Sequence, residues 1–194
     1  MWKRPARKRP AGKRSALSLV LLALAITATT ASATSARADD PRFGANDIRS
    51  LFVIGKNIDR DEVRYGIRLD KECVPIGSEP MYAYWQQLEQ GPNVTEDLNF
   101  LDRTVYGIKT QKVVKRSPEE SKVLMTLEAT SERYVAVLVH RRDGKCVAES
   151  IAFINGTPSL LERVFVHVAG FLKVDWIEIR GLLNGKPVVE RVKH

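Results

Sequence analysis

The chain has few of the side chains that most often carry chemistry. It contains three histidines and two cysteines in 194 residues, and His140, His167 and His194 have no second ligand at helical or hairpin spacing. Because a zinc site needs several such ligands close together, the sequence predicts no metal site. It also lacks a glycine-rich phosphate loop and a G-x-S-x-G nucleophile motif. We therefore expect no catalytic residue and no cofactor.

No apolar run reaches the roughly 20 residues that a membrane-spanning helix needs. The run at residues 16–28 is shorter, and it follows an N-terminal segment with many Lys and Arg and no acid. Small residues then lead to an A-x-A site that ends at Ala38. These features predict that residues 1–38 are a cleavable secretory signal peptide. Export by the general secretory route to the periplasm or the medium follows, and an uncleaved membrane anchor is the alternative.

The predicted mature chain has no excess positive charge. The whole sequence has 31 Lys and Arg against 23 Asp and Glu, but eight of the basic residues and none of the acidic ones lie in residues 1–38. Their removal leaves a formal net charge of zero. Nucleic-acid binding depends on clustered Lys and Arg, so we expect no nucleic-acid partner. The local cluster from Lys109 to Arg116 is better explained as a solvated strand edge.

Both cysteines, Cys73 and Cys146, fall within the predicted mature chain. In an oxidising compartment an even pair most simply forms a disulfide. The spacing does not match the C-x-x-C pattern of a redox pair. A bridge across so long a loop stabilises the fold by about 4 kcal/mol on the chain-entropy model, so the predicted role is structural.

Apolar residues recur at every second position through most of the chain after the predicted signal peptide. Such alternation is typical of strands with one buried and one wet face, and no segment has convincing helical periodicity. Asp143-Gly144 and Asn184-Gly185 are expected to form tight hairpins, whereas residues 155–158 are expected to break the chain. Residues 45–54 fit a short helix or strand. About nine strands are predicted, at residues 63–69, 81–88, 105–114, 123–127, 133–141, 146–154, 161–169, 174–180 and 187–192.

Nine strands in a chain of this length fit a single domain. Short turns favour the pairing of sequence neighbours, and closure removes exposed sheet edges. The predicted fold class is therefore all-β, a single small up-and-down-like β-barrel, with a two-sheet β-sandwich as the alternative. Residues 39–50 are predicted to be a flexible N-terminal lead-in and residues 51–194 the all-β domain. Charge interrupts the apolar sets and no aromatic girdles recur, which favours a soluble domain without a membrane span after cleavage.

Several short motifs in the chain are rich in aromatic residues and glycine: Gly55-Lys56-Asn57, Tyr65-Gly66-Ile67, Tyr82-Ala83-Tyr84-Trp85, residues 96–103 and Tyr106-Gly107-Ile108. This order of features resembles an uncharacterised bacterial family known as domain of unknown function 4833. The resemblance covers residues 50–192. It implies an exported or envelope-associated bacterial protein with no established activity, so it carries over no catalytic residue. The positions that match are Asn57, Tyr65, Trp85, Arg103, Tyr106 and Gly107.

These residues have two interpretations. In a pocket, Trp85 and the tyrosines would supply apolar walls with hydroxyl groups, while Arg103 and Asn57 would fix a polar or anionic end of the ligand. In the other interpretation the same side chains only pack in the core or form turns. The candidate ligand-binding residues are Asn57, Tyr65, Tyr84, Trp85, Arg103 and Tyr106.

Three functions are therefore compared for an exported soluble β-domain. The first is a binding module that holds a small hydrophobic or amphipathic, lipid-like ligand in the barrel interior. The second is a non-catalytic structural or interaction protein of the bacterial envelope, with a filled interior and an exposed apolar patch. An enzyme comes last for want of a catalytic site. A cavity above about 300 Å³ lined by Tyr84, Trp85 or Tyr106 favours the first, and a solidly packed core favours the second.

Overall fold

A computed structural model of the chain describes residue 40 and residues 42–130, 132–169 and 173–193. The predicted signal peptide, residues 1–38, lies outside the described residues. The described chain is all-β, which confirms the fold class at that level, and it contains eleven strands and a short α-helix. In this part of the chain no helix has the length and apolar character needed to cross a membrane.

The strands are numbered in chain order. They are β1 (Ile48–Lys56), β2 (Glu62–Ile67), β3 (Met81–Gln86), β4 (Thr95–Asp97), β5 (Ile108–Lys115), β6 (Glu120–Leu127), β7 (Tyr134–Arg142), β8 (Lys145–Ile154), β9 (Thr157–Ala169), β10 (Lys173–Leu183) and β11 (Lys186–Lys193). The helix α1 (Phe100–Tyr106) lies between β4 and β5, and a 3-10 turn (Glu128–Thr130) follows β6. Strand β1 thus begins inside the stretch expected to be a flexible lead-in.

Three hairpins are formed by two-residue turns of the same kind. Asp143, Asn155 and Asn184 have φ values of 51°, 50° and 52°, and each is followed by a glycine with φ of 75°. Positive φ at both central residues defines the type I′ turn, whose twist matches that of paired strands. Two of these hairpins confirm the prediction. The third corrects it, because Asn155-Gly156 joins β8 directly to β9 instead of breaking the chain.

Hydrogen bonds connect all eleven strands in one sheet that does not close. The strand order is β4-β3-β2-β1-β9-β8-β7-β6-β5, and β10 and β11 continue from β9. Strand β9 is the branch point. Along one edge its residues 157–160 pair with β8 and its residues 163–166 pair in parallel with β1, while β10 takes the other edge. The predicted closed barrel is therefore wrong, and the pairing does not divide the strands into two separate sheets either.

Strands β3 and β5 approach each other at the open side of this sheet without forming a ladder. A single side chain, Gln111 of β5, spans the gap. The backbone N–H of Met81 on β3 donates to Gln111 Oε1 at 2.8 Å, and Gln111 Nε2 donates to the Met81 carbonyl at 3.3 Å. The two strands are thereby held one side chain apart, which is too far for backbone pairing.

One apolar core fills the inside of the curved sheet. The alternation of β2 and β6 places their apolar side chains inward, and the rings of Phe52 and Tyr65 stack with centroids 4.5 Å apart. The largest fully buried side chains are Tyr65, Phe52, Ile54, Ile67, Met125, Leu127, Ile154 and Leu161. Among the surface cavities of the described residues, one lies beside β3 and another, of about 360 Å³, lies beside Ile177 and Val192. The interior is thus occupied by the protein's own side chains.

The predicted disulfide between Cys73 and Cys146 is confirmed. It joins the loop between β2 and β3 to the start of β8, with the two Cα atoms 5.3 Å apart. The loop is shaped locally by Asp70, whose Oδ1 accepts the backbone N–H of Glu72 at 3.0 Å and that of Val74 at 2.8 Å. The bridge therefore fixes the irregular loop after β2 to β8, which lies three strands further along the sheet.

Candidate functional site

A groove of about 410 Å³ runs beside the free part of β3. It lies where the sheet fails to close, in the space that the Gln111 side chain spans. Its apolar surface comes from β3, from the segment before α1 and from the start of β5, through Met81, Ala83, Leu98 and Ile108. The groove is thus a direct consequence of the open sheet.

Three aromatic rings form one wall of this groove. Phe43, from the segment before β1, packs on Tyr82 and Tyr84 with ring centroids 5.5 and 5.0 Å away. The hydroxyls of both tyrosines donate to backbone carbonyls of β1, Tyr82 to Ile48 at 3.4 Å and Tyr84 to Arg49 at 3.1 Å. Burial raises the pKa of Tyr82, so its phenol stays neutral. The wall is therefore an uncharged surface of fixed rings.

Arg42 stands at one end of the groove and is held by carboxylates. Its guanidinium contacts Asp40 at 2.6 Å and Asp97 at 3.1 Å. The hydrogen bonds from Arg42 hold the pKa of the Asp40 carboxyl well below its usual range. The charge of Arg42 is thus already matched by two carboxylates, so its role here is structural. It shapes one end of the groove and ties the segment before β1 to β4.

Arg68 and Arg103 also line the groove, and neither forms an ion pair with another residue in the described part of the chain. Arg103 donates from Nε to the carbonyl of Leu98 at 2.9 Å, which fixes the side chain by one atom of its guanidinium. Arg68 lies over the ring of Tyr82, with its Cζ 5.1 Å from the ring centroid. Two guanidinium groups thus border the groove without a carboxylate partner.

The structure brings two of the six predicted site residues to this groove, Tyr84 and Arg103. Trp85 follows Tyr84 on the same strand and therefore points to the opposite face of the sheet. Its indole N–H donates to Asp102 Oδ2 at 2.9 Å. Its ring contacts Tyr106 edge-on at 5.5 Å and lies under Lys56 Nζ at 4.7 Å. Trp85 and Tyr106 therefore pack on the core side.

Tyr65 and Asn57 lie away from the groove as well. Tyr65 is 0 % exposed and donates its hydroxyl to the carbonyl of Tyr106. Burial raises its pKa well above the usual value. Asn57 clasps β1 to β9, because its Nδ2 donates to the carbonyl of Val168 at 3.2 Å and its Oδ1 accepts the Val168 N–H at 2.8 Å. Both residues make contacts that hold the fold together, and neither lines the groove.

Phe43, Arg68 and Gln111 are among the groove residues that the sequence did not identify as site residues. Arg68 sits at an outward position of the alternating run 63–69, so its exposure was predictable. Phe43 falls in the segment expected to be a flexible lead-in, and Gln111 falls in a lysine-rich strand. The roles of Phe43 and Gln111 depend on contacts with residues more than 25 positions away, for which a single sequence carries no signal.

A second charged cluster lies on the outer surface of β10 and β11. Glu178 is 6 % exposed and pairs with Arg191 at 2.9 Å and with Arg180 at 2.5 Å. Hydrogen bonds from Arg191 and then Arg180 lower the pKa of Glu178. Every charge here has a partner, and the pair between Glu178 and Arg191 joins β10 to β11. Among the described residues no three His, Cys, Asp or Glu side chains group in a way that could hold a metal ion.

The fold defines a class of protein, an all-β domain built on one open, branched sheet with a groove where closure fails. The family model described as a domain of unknown function (DUF4833) matches residues 52–191. The chain belongs to that family, which confirms the resemblance found in its motifs. No curated protein and no solved structure matches the chain.

Proposed function

We propose that this domain is a binding module whose groove takes a small amphipathic ligand with an anionic group. One observation carries the proposal: an aromatic wall, an apolar floor and two arginines without carboxylate partners border the same groove of about 410 Å³. Sites for small molecules have volumes of about 300–1,000 Å³ and combine apolar walls with a few polar groups. The groove falls within that description.

The groove lining offers both kinds of contact that such a ligand needs, apolar surface and cationic side chains. The apolar part of the ligand lies against Met81 and Ile108, beside the ring of Tyr84. The anionic group faces Arg68 and Arg103, whose planar guanidinium groups suit paired hydrogen bonds to a carboxylate. Gln111 keeps the groove open through its bonds to β3 and does not need to touch the ligand.

We also propose that this soluble domain acts outside the cytoplasm. The basic N-terminal segment, the apolar run and the A-x-A site support secretion. The disulfide supports it too, because disulfides persist mainly in oxidising compartments. An N-terminus at Asp39 in the purified protein, found by intact mass measurement, would support cleavage. A protein that retains Met1 in a membrane fraction would contradict it.

The ligand proposal is tested with a probe of the stated chemistry. Octanoate and the uncharged octanamide are titrated against the protein by isothermal calorimetry or NMR, and octanoate is expected to bind more tightly. The variants Arg68→Gln and Arg103→Gln should each weaken octanoate binding by about tenfold, the size of one charge-assisted hydrogen bond. Arg60→Gln removes an exposed arginine outside the groove and serves as the control.

Equal affinity for the two probes, or an unchanged octanoate affinity in both groove variants, would refute an anion site. Native mass spectrometry of the purified protein adds a search for a natural ligand. A co-purified anionic small molecule that is lost in Arg103→Gln supports the assignment. Retention of that molecule in Arg103→Gln would place it elsewhere on the protein.

A role as an interaction protein is the second candidate. The packed interior favours it, because Tyr65, Phe52 and Ile54 fill the space that a ligand would have occupied in a barrel. Large apolar side chains on the outer surface favour it too, since Tyr134 is 65 % and Phe153 is 60 % exposed. Both features agree with a non-catalytic protein that acts through its surface.

A further inference from the structure

Strands β7 and β8 carry apolar side chains on both of their faces. Their core-facing side chains are buried, Val135 and Val137 among them. The opposite face of β7 presents Tyr134, Ala136 and Leu138. An antiparallel strand with one face in water normally alternates apolar with polar residues. The outward face of these strands therefore has the composition of a covered surface.

The strand register extends this surface across the sheet. Ala136 of β7 lies opposite Leu124 of β6 and Ile151 of β8, and Ile151 lies opposite Leu160 of β9. The side chains of such cross-strand neighbours stand side by side on one face. We call this surface the apolar outer face, and it consists of Leu124, Tyr134, Ala136, Leu138, Ile151, Phe153 and Leu160.

Two opposite charges flank Leu138 at one end of the apolar outer face, in a single row across the sheet. Lys122 of β6 and Glu149 of β8 both lie opposite Leu138 of β7, one on each side of it. Adjacent strands are about 4.8 Å apart, so the two residues are about 10 Å apart and do not pair with each other.

Neither charge is well matched within the described part of the chain. Lys122 forms no ion pair there, and its neighbour on β5 is another cation, Lys115. Glu149 has one cation in range among those residues, Arg142 at 4.0 Å. In this row Leu138 therefore lies between a lysine without an ion pair in the described ranges, Lys122, and a glutamate with one distant cation, Glu149.

We propose that a second copy of this chain covers the apolar outer face, related by a two-fold axis that runs parallel to β7. Rotation about such an axis leaves the position of each row along the strands unchanged. It exchanges the β6 side of the row with the β8 side. Lys122 then faces the partner's Glu149, Glu149 faces the partner's Lys122, and Leu138 meets its own counterpart. A contact of this kind is self-complementary, and it packs the two sheets with their strands nearly aligned.

The size of the surface sets the strength of this dimer. It reaches across four strands and extends along β7 from Tyr134 to Leu138, which is about 15 Å in each direction at most. That is small beside the roughly 800 Å² per partner of stable complexes. The dimer is therefore weak and in exchange with the monomer, with the dimer dominant only at high protein concentration.

Sedimentation velocity of the protein, expressed from its full sequence and purified as the cell produces it, tests the proposal. Protein from about 1 μM to about 1 mM should show a monomer in equilibrium with a dimer. Lys122→Glu and Glu149→Lys should each weaken the dimer by at least about tenfold, because each places two pairs of like charges in contact. Lys186→Glu, on the hairpin between β10 and β11, is the matched control and should not change the equilibrium.

Mixing the two single variants provides the decisive measurement. In a dimer of Lys122→Glu with Glu149→Lys, both contacts again join opposite charges, so the mixture should associate more strongly than either variant alone. The double variant should likewise dimerise as the unmodified protein does. Circular dichroism verifies that each variant is folded. Should a single variant unfold, Ile151→Thr takes its place as the weakened form and the double variant still tests the charge pairing.

A protein that stays monomeric over the whole concentration range overturns the proposal. So does a dimer that the single variants do not weaken, or one whose mixture shows no recovery, because either result places the contact on another surface. Octanoate binding is measured alongside. The groove lies beside β3 and outside the apolar outer face, so the charge variants should bind octanoate as tightly as the unmodified protein does. The two proposals can therefore fail independently of each other.

Discussion

Removal of one buried hydroxyl separates a structural role for Tyr65 from a role in ligand binding. Tyr65 is 0 % exposed, and its hydroxyl donates to the carbonyl of Tyr106 at the end of α1. Tyr65→Phe keeps the ring and its 4.5 Å stack with Phe52. It leaves the Tyr106 carbonyl without this donor in a region that water does not reach.

The expected cost follows from that single loss. A buried acceptor left without its partner costs about 1–3 kcal/mol, and no cavity forms because the ring stays in place. Urea denaturation should therefore show a free energy of unfolding lower by about 1–3 kcal/mol with an unchanged slope against urea. Tyr134→Phe is the matched control. Tyr134 is 65 % exposed, so its loss of a hydroxyl should change the stability by less than about 0.5 kcal/mol.

Two outcomes would refute this reasoning. If Tyr65→Phe is as stable as Tyr134→Phe, the buried hydroxyl contributes nothing and its bond to Tyr106 does not hold α1 to β2. If Tyr65→Phe retains its stability but binds octanoate more weakly, Tyr65 belongs to a ligand site after all. Because Tyr65 does not line the groove, we expect octanoate affinity to stay constant.

The remaining predictions concern the disulfide and acid stability. Reduction of the Cys73–Cys146 bridge, which spans 73 positions, should lower the free energy of unfolding by about 2–5 kcal/mol in urea denaturation; a change below about 1 kcal/mol would mean that the reduced chain stays just as constrained. The pKa of Glu178 is lower in the folded than in the unfolded chain, so its ion pairs stabilise the fold above about pH 4.5 and this contribution is lost as the pH falls further. In Glu178→Gln the free energy of unfolding should fall less steeply as the pH is lowered below about 4.5. The same dependence of the free energy of unfolding on pH in both proteins would argue against this role for Glu178.

The local parts of the fold were predictable because their causes lie within a few residues. Alternation around Val63 and Tyr65 identified β2, since every second side chain enters the core. Asp143-Gly144 identified a hairpin, because both residues tolerate positive φ. The pairing of Cys73 with Cys146 was predictable because the chain has only these two cysteines and export was expected.

Helix α1 was missed because it is too short to show a helical period. The strand predicted over residues 105–114 begins inside the helix and was placed too early. A usable signal existed at the helix start, where Asn99 and Asp102 form a reciprocal capping box. The Asn99 side chain accepts the Asp102 N–H at 2.9 Å, and the Asp102 carboxylate accepts the Asn99 N–H at 3.2 Å.

The open sheet was not predictable from neighbour pairing. Strand β1 pairs in parallel with β9, more than 100 positions away, through residues such as Val53 and Arg163. Closure by the nearest hairpins is the expected topology only when no distant strand competes for an edge. The groove also depends on distant contacts. Tyr84 lines it beside Phe43, which lies far from Tyr84 in the chain, whereas Trp85, the next residue on β3, packs against Tyr106.

A single glycine connects the Tyr65-Gly66-Ile67 motif to the geometry of the groove. Gly66 lies in the middle of β2, where glycine weakens a strand unless another group must approach closely. Here a Cβ would lie 2.5 Å from the Tyr82 ring and 2.5 Å from the carbonyl oxygen of Ile48. Only glycine lets Tyr82 lie across β2 and reach that carbonyl with its hydroxyl. The Tyr65-Gly66-Ile67 motif therefore sets the position of Tyr82, and through it the aromatic wall, without contributing a ligand contact of its own.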